Sequence, residues 1–218
     1  MMMKEKIGIS LRVVDASNYV EKRDALSQDW PKLFDELELI PIFIPNTLKN
    51  IQNFLDELSL DGIVLSGGDD IGENDDRDKT ENFLLKYAID KNIPVIGICR
   101  GMQLINNYFG GKQIIDNSNQ HVGKDHEIKI INNNISQIFN SEIIVVNSFH
   151  KNMIHADNLG DDLNAFAIFD NDKSIEGFMH SSFSIIGVMW HPERNPNKNN
   201  KQIISKIFKD KNFWTKSI

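Results

Sequence analysis

The sequence predicts an α/β protein with a mostly parallel sheet flanked by helices and a small antiparallel annex in its second half. Three observations point to it. Strand-like and helix-like segments alternate four times before residue 111, the pattern of a parallel sheet covered on both faces. Beyond residue 125 strand candidates dominate, at spacings that suit antiparallel neighbours and a return to the main sheet. No repeat and no low-complexity linker interrupts the chain, so residues 1–218 are read as one domain.

The elements follow in order. "KIGISLRV" (6–13) reads as the first strand. "PKLFDELE" (31–38) opens a helix with Pro31, which suits a first turn, and sets Leu33, Phe34 and Leu37 on one face. "IPIFIPN" (40–46) reads as a short buried strand, and "LKNIQNFLDEL" (48–58) as a helix with Leu48, Ile51, Leu55 and Leu58 in register. "DGIVLSGGDD" (61–70) is a strand running into glycines. "DKTENFLLKYAID" (78–90) is a helix with Phe83, Leu84, Tyr87 and Ala88 inward. "IPVIGIC" (93–99) is a strand, and "RGMQLINNYFG" (100–110) a helix stopped by Gly110 and Gly111. Further strands are expected at 126–131, 142–148, 163–169, 174–180 and 183–190, and a closing helix at 201–211.

Composition narrows the function. Of 218 residues, 40% are apolar and 25% charged, ordinary for a globular domain. A net charge of −7 disfavours nucleic acid and anionic membrane surfaces as partners. One cysteine excludes an intrachain disulfide, and no run has signal-peptide or membrane-helix length, so the cytoplasm is the expected compartment.

That cysteine, Cys99, ends an apolar strand and starts a helix, with Gly97 and Gly101 at −2 and +2. A strand–nucleophile–helix elbow needs such glycines, because the turn is tight and the two backbones come close. The helix N-terminus is expected to lower the thiol pKa and bring thiolate near neutral pH. The Arg100 N–H would face a developing oxyanion. Without its setting, Cys99 would read as an ordinary buried cysteine. A base must accompany it. Of six histidines, His191 alone directly follows an apolar strand and has a carboxylate two residues on, in "MWHPER". Pro192 favours extended backbone, so Glu193 lies on the same side as His191 and can orient the ring.

These two motifs together resemble the class I glutamine amidotransferase family, with its Cys-His-Glu triad on a flavodoxin-like fold. The likeness runs from about residue 5 to 194. It implies Gly68, in "LSGGDD" (65–70), as the second oxyanion N–H beside Arg100. It implies Gln103, and the segment Asn147, Ser148, Phe149 and His150 in "VNSFH", as contacts of the bound glutamyl group. "ICRGMQ" and "RDKTENFLL" (77–85) are closest to the stand-alone γ-glutamyl hydrolases of the family, γ-glutamyl-γ-aminobutyrate hydrolase among them. The chain departs from that subgroup in its short acidic "IGENDD" (71–76) and in His150-Lys151 where a double histidine is usual. The implied reaction is hydrolysis of a γ-glutamyl C–N bond through a thioester, with no cofactor. A glutaminase subunit feeding a partner synthetase, and a non-catalytic module of the same fold, are the alternatives. A small γ-glutamyl compound is the expected partner, and a homodimer is left open.

In open α/β sheets ligands bind at the carboxyl ends of strands, so the polar stretch 15–30 should overhang the site. Tyr19, Arg23, Asp24, Ser27, Gln28 and Trp30 are read as leaving-group contacts. The alternative is a solvated loop that begins a helix, with Asp24 or Ser27 as its cap. An arginine near a tryptophan suits a nucleotide, and γ-glutamyl-CDP-amidate, an intermediate of capsule phosphoramidate synthesis handled within this family, is the candidate substrate. His121 and His126, with no cysteine or clustered carboxylate at matching spacing, are read as metal-free.

Overall fold

A computed structural model describes residues 4–116 and 120–217, without the side chains of 215–217. A nine-stranded sheet forms the spine, in the order β4-β1-β5-β6-β13-β12-β11-β8-β9. Its first half is parallel: β4 (Ile40–Ile44), β1 (Lys6–Ser10), β5 (Gly62–Leu65), β6 (Val95–Ile98) and β13 (Ile185–Val188). Its second half is antiparallel: β12 (Ile175–His180), β11 (Leu163–Ile168), β8 (Val122–Ile130) and β9 (Ile143–Phe149). The expected annex thus extends the main sheet, and β13 makes the expected return beside β6. Two-stranded sheets join β2 (Arg12–Asp15) to β3 (Lys22–Ala25) and β7 (Ile114–Ile115) to β10 (Asn152–Met153).

Helices cover both faces. α1 (Asp29–Glu36), α5 (Asn133–Phe139), α6 (Lys198–Lys209) and α7 (Lys211–Ser217) lie on one side; α2 (Ile51–Leu58), α3 (Asp75–Lys91) and α4 (Arg100–Tyr108) lie on the other. Strand alternation feeds both layers: Ile63 and Leu65 of β5 join the α2–α4 layer, while Val64 joins the other. Asn50 and Asn74 cap α2 and α3, their side chains accepting from the Asn53 and Arg77 N–H groups.

Three expectations change. Leu11 breaks the first strand, and residues 12–25 form the hairpin β2–β3 where a loop was expected. The 40–46 strand is an edge, paired only to β1, and leaves Phe43 half exposed. The closing helix divides at Asp210, whose extended backbone ends α6 before α7 begins.

Candidate active site

Cys99 sits between β6 and α4 at φ 50°, ψ −102°, a positive-φ conformation that non-glycine residues rarely hold. Two backbone bonds fix it: Cys99 N–H donates to the Val188 carbonyl at 2.8 Å, and Gln103 N–H donates to the Cys99 carbonyl at 3.0 Å. The flanking glycines are steric requirements. A Cβ on Gly97 would lie 2.6 Å from the Gly101 carbonyl, and one on Gly101 would lie 2.1 Å from the Leu65 carbonyl oxygen. Gly67 has a similar constraint, since its Cβ would stand 2.7 Å from the His191 ring.

His191 and Glu193 are both buried, and His191 Nδ1 bonds Glu193 Oε1 at 2.8 Å. A carboxylate only accepts, so Nδ1 carries a proton and the Nε2 side of the ring is turned away from Glu193. Asn147 locks the His191 backbone from both sides: its Nδ2 donates to the His191 carbonyl at 2.9 Å, and its Oδ1 accepts from the His191 N–H at 2.8 Å. Phe149 lies edge-on to the His191 ring at 5.9 Å.

The environment of the thiol corrects one expectation. Burial pushes the Cys99 thiol up to about 12; the Arg100 N–H facing the sulfur lowers it, and the Glu193 and Glu176 charges add to the rise. The free protein therefore holds a thiol, where the helix N-terminus alone predicts thiolate. Seven per cent exposure removes more solvation than one N–H replaces.

A pocket of about 220 Å³ opens beside the ring. Arg12, Ser27, Trp30, Gly67, Gly68, His191 and Arg194 are among its walls. The stretch 15–30 contributes unevenly to it. Trp30 lines the pocket but belongs mainly to the core, edge-on to Phe34. Tyr19 is exposed at the hairpin tip, and Arg23 is turned onto it and onto Glu21. Gln28 is exposed at the start of α1, outside the lining. Asp24 accepts from both the backbone and the side chain of Asn46, and Ser27 Oγ accepts from Asp29 N–H. The cations at the pocket are instead Arg12, paired with Asp69, and Arg194, stacked on Phe149 at 4.5 Å. Sequence reading passes over both, although Arg12 follows the carboxyl end of β1 and Arg194 follows Glu193.

Gln103 is buried, its Nε2 near the Met189 sulfur at 3.8 Å and its Oε1 without a partner. Asn147 and Phe149 face His191, whereas alternation along β9 turns Ser148 and His150 to its other side. Ser148 Oγ donates to the His121 carbonyl at 2.8 Å. His150 is buried beside Glu176, so its side chain is no wall of the pocket.

The Arg100 side chain also leaves the site. Its guanidinium bonds Glu81 and Asp78 of α3. Arg77 Nε donates to Glu81 at 3.0 Å, and its Nη2 donates to the Ser66 and Gly67 carbonyls, both at 2.9 Å. Burial pulls both guanidinium groups down to about 10, which leaves them charged at neutral pH. The Gly67 carbonyl and the Gly68 N–H belong to one trans peptide and point opposite ways. Arg77 thus turns the Gly68 N–H away from α3.

On the far side of the strand end, Glu176 is ringed by His121, His126 and His150. Burial raises the Glu176 carboxyl and the His126 and His150 imidazoles lower it, for a net fall to about 2. No sequence spacing announces this group, because its members lie up to 55 residues apart in the chain. It supplies the carboxylate whose absence leads His121 and His126 to be read as metal-free.

The comparisons agree with this architecture. The peptidase C26 family matches residues 7–193, and the chain belongs to that hydrolase family, within the class I glutamine amidotransferase-like group. It is 35% identical over 209 residues to the γ-glutamyl-CDP-amidate hydrolase of Campylobacter jejuni, covering 93% of this chain and 96% of that one. It is 33% identical over 192 residues to a putative glutamine amidotransferase-like protein of Lactococcus lactis, covering 76% and 79%. Among solved structures, a putative GMP synthase subunit from Thermoplasma acidophilum superposes with TM-score 0.71 at 25% identity, over 95% of this chain and 94% of that one. No helix among the described residues is long and apolar enough to cross a membrane.

Proposed function

We propose that the chain hydrolyses a γ-glutamyl C–N bond with Cys99 as nucleophile, His191 as base and Glu193 as its orienter. The observation that carries the reading is the His191–Glu193 bond at 2.8 Å beside a pocket that runs to the glycine loop. His191 Nε2 takes the thiol proton as the sulfur attacks the γ-carbonyl. The raised thiol pKa makes that transfer part of the attack. The N–H groups of Arg100 and Gly68 hold the oxyanion. His191 returns the proton to the departing nitrogen. It then deprotonates the water that cleaves the γ-glutamyl thioester, restoring the thiol.

The proposed substrate class is a γ-glutamyl amide or phosphoramidate with a large anionic leaving group, γ-glutamyl-CDP-amidate being the candidate. The 35% identical relative carries that name, and Arg12 and Arg194 put two guanidinium groups at the pocket for a diphosphate. A glutaminase subunit is the second reading, favoured by the likeness to a putative GMP synthase subunit. A glutamate-release screen of the purified chain across glutamine, γ-glutamyl amines and γ-glutamyl nucleotides separates the two. The nucleotide substrates should be fastest, because leaving-group contacts add transition-state binding that glutamine cannot recruit. Glutamine as best substrate, or activity only with a partner present, overturns the hydrolase reading.

A further inference from the structure

We infer that His121, His150 and Glu176 form a structural site for one divalent transition-metal ion of the zinc class. All three are buried, and their donor atoms lie within 4.8 Å of one another.

The argument is one of donors and acceptors. His121 Nε2 bonds the Asp172 carboxylate at 2.8 Å, so Nε2 carries the proton and Nδ1 keeps a lone pair. His150 Nδ1 bonds the Asn152 carbonyl at 3.0 Å; that oxygen can only accept, so Nδ1 carries the proton and Nε2 keeps a lone pair. Both lone pairs face Glu176 Oε1, at 3.7 Å and 3.6 Å. With both rings neutral, three acceptors converge and a cation, metal or proton, is needed among them. His121 Nδ1, His150 Nε2 and both Glu176 oxygens are buried without a hydrogen-bond partner. His126 Nε2 faces the second oxygen, Oε2, at 3.6 Å.

Distance separates a metal from a proton as the missing member. A charge-assisted imidazolium–carboxylate bond closes to about 2.7–2.9 Å. Tetrahedral zinc, with bonds of about 2.0–2.1 Å to nitrogen, keeps its ligand atoms about 3.3 Å apart. The two nitrogen–carboxylate separations, 3.6 and 3.7 Å, are nearer the second figure, and the three donor atoms together lie within 4.8 Å. Asp172 and the Asn152 carbonyl are also the outer partners that metal-bound histidines use to fix tautomer and orientation. Two imidazoles and a carboxylate suit a borderline cation better than calcium or magnesium. Such an ion would tie the turn before β8 and the segment after β9 to β12. Phe149, next to His150, would be fixed against His191 as a result.

The test uses chelator-treated full chain titrated with Zn²⁺ or Co²⁺ alone, on the Cys99→Ser background, so that the thiol cannot supply a rival ligand. One equivalent should bind, raise Tm, and give a visible Co²⁺ spectrum of nitrogen and oxygen ligation. His150→Ala should abolish binding. Asp172→Asn, at a partly exposed position better able to tolerate change, should weaken it about 10–100-fold. Three results overturn the site: no stoichiometric metal in the folded Cys99→Ser chain, binding unchanged in Asp172→Asn, or a Co²⁺ spectrum unaltered by His150→Ala.

Discussion

Two buried polar clusters flank the proposed triad, and they differ in how their hydrogen bonds are filled. On the parallel half, Arg77, Arg100, Glu81 and Asp78 join Ser10 and Ser66 in a network where donors meet acceptors; Arg100 Nε alone of the arginine nitrogens is without a partner. On the antiparallel half, the His121 and His150 nitrogens that face Glu176, and both Glu176 oxygens, are buried without a hydrogen-bond partner. Buried unpaired polar groups are costly, so the first cluster reads as complete and the second as lacking a cation. Both touch the proposed catalytic residues through backbone: Arg77 through the Gly67 carbonyl, and Glu176 through its carbonyl, which accepts from Met189 N–H two residues before His191.

The largest effect belongs to what both clusters support. Cys99→Ala should cost on the order of 10⁶-fold in kcat on the best γ-glutamyl substrate, as expected when a nucleophile acting in a triad is removed. Near-normal turnover would leave neither cluster an active site to support. Arg77→Met comes next. It frees the Gly67–Gly68 peptide to rotate, and should lower kcat by about 10²–10³-fold with little change in KM, the scale of losing one oxyanion donor. Lysine should not rescue it, because one ammonium cannot reach Glu81 and two carbonyls in a fixed fork. If folded Arg77→Met protein retains full kcat, the complete cluster only stabilises the fold.

The thiol gives a smaller, pH-resolved effect. With its pKa raised to about 12, Cys99 stays protonated through neutral pH, and thiolate grows only as pH climbs toward that value. Iodoacetamide labelling of the free protein should therefore be slow at pH 7 and still rising at pH 9. A rate that levels off below the ~8.5 of an ordinary thiol would instead restore the helix-terminus expectation. Smallest is the leaving-group contrast. Arg12→Ala should raise KM for γ-glutamyl nucleotides by about tenfold, the size of a lost charge-assisted bond of ~1.4 kcal/mol, while sparing small amides. Arg23→Ala should leave both unchanged, since Arg23 is held by Glu21 and Tyr19 outside the pocket.

The same contrast explains what the sequence discloses. The parallel half and the Cys99, His191 and Glu193 positions are legible because their signals are local: apolar runs of strand length, glycines two residues either side of Cys99, a carboxylate two residues after a histidine. "RDKTENFLL" stands out as a pattern, but its physical reason lies in carbonyls of the preceding loop. The hairpin β2–β3 is hidden because "DASNYVEKRDA" is polar on both faces and carries no alternation. The ring around Glu176 is hidden because β8, the segment after β9, and β12 meet only when the sheet assembles. Arg23 outranks Arg12 in the sequence because a dense run of polar residues suggests a nearness to the site that the hairpin does not give it.

The central claim is that Cys99 carries the glutamyl group. Acid-quenched digests taken during turnover of a γ-glutamyl nucleotide test it directly by mass spectrometry. The account predicts one glutamyl group on the peptide holding Cys99, absent when Cys99 is alanine. Continued turnover with that peptide unmodified, and with the alanine variant equally active, would contradict it.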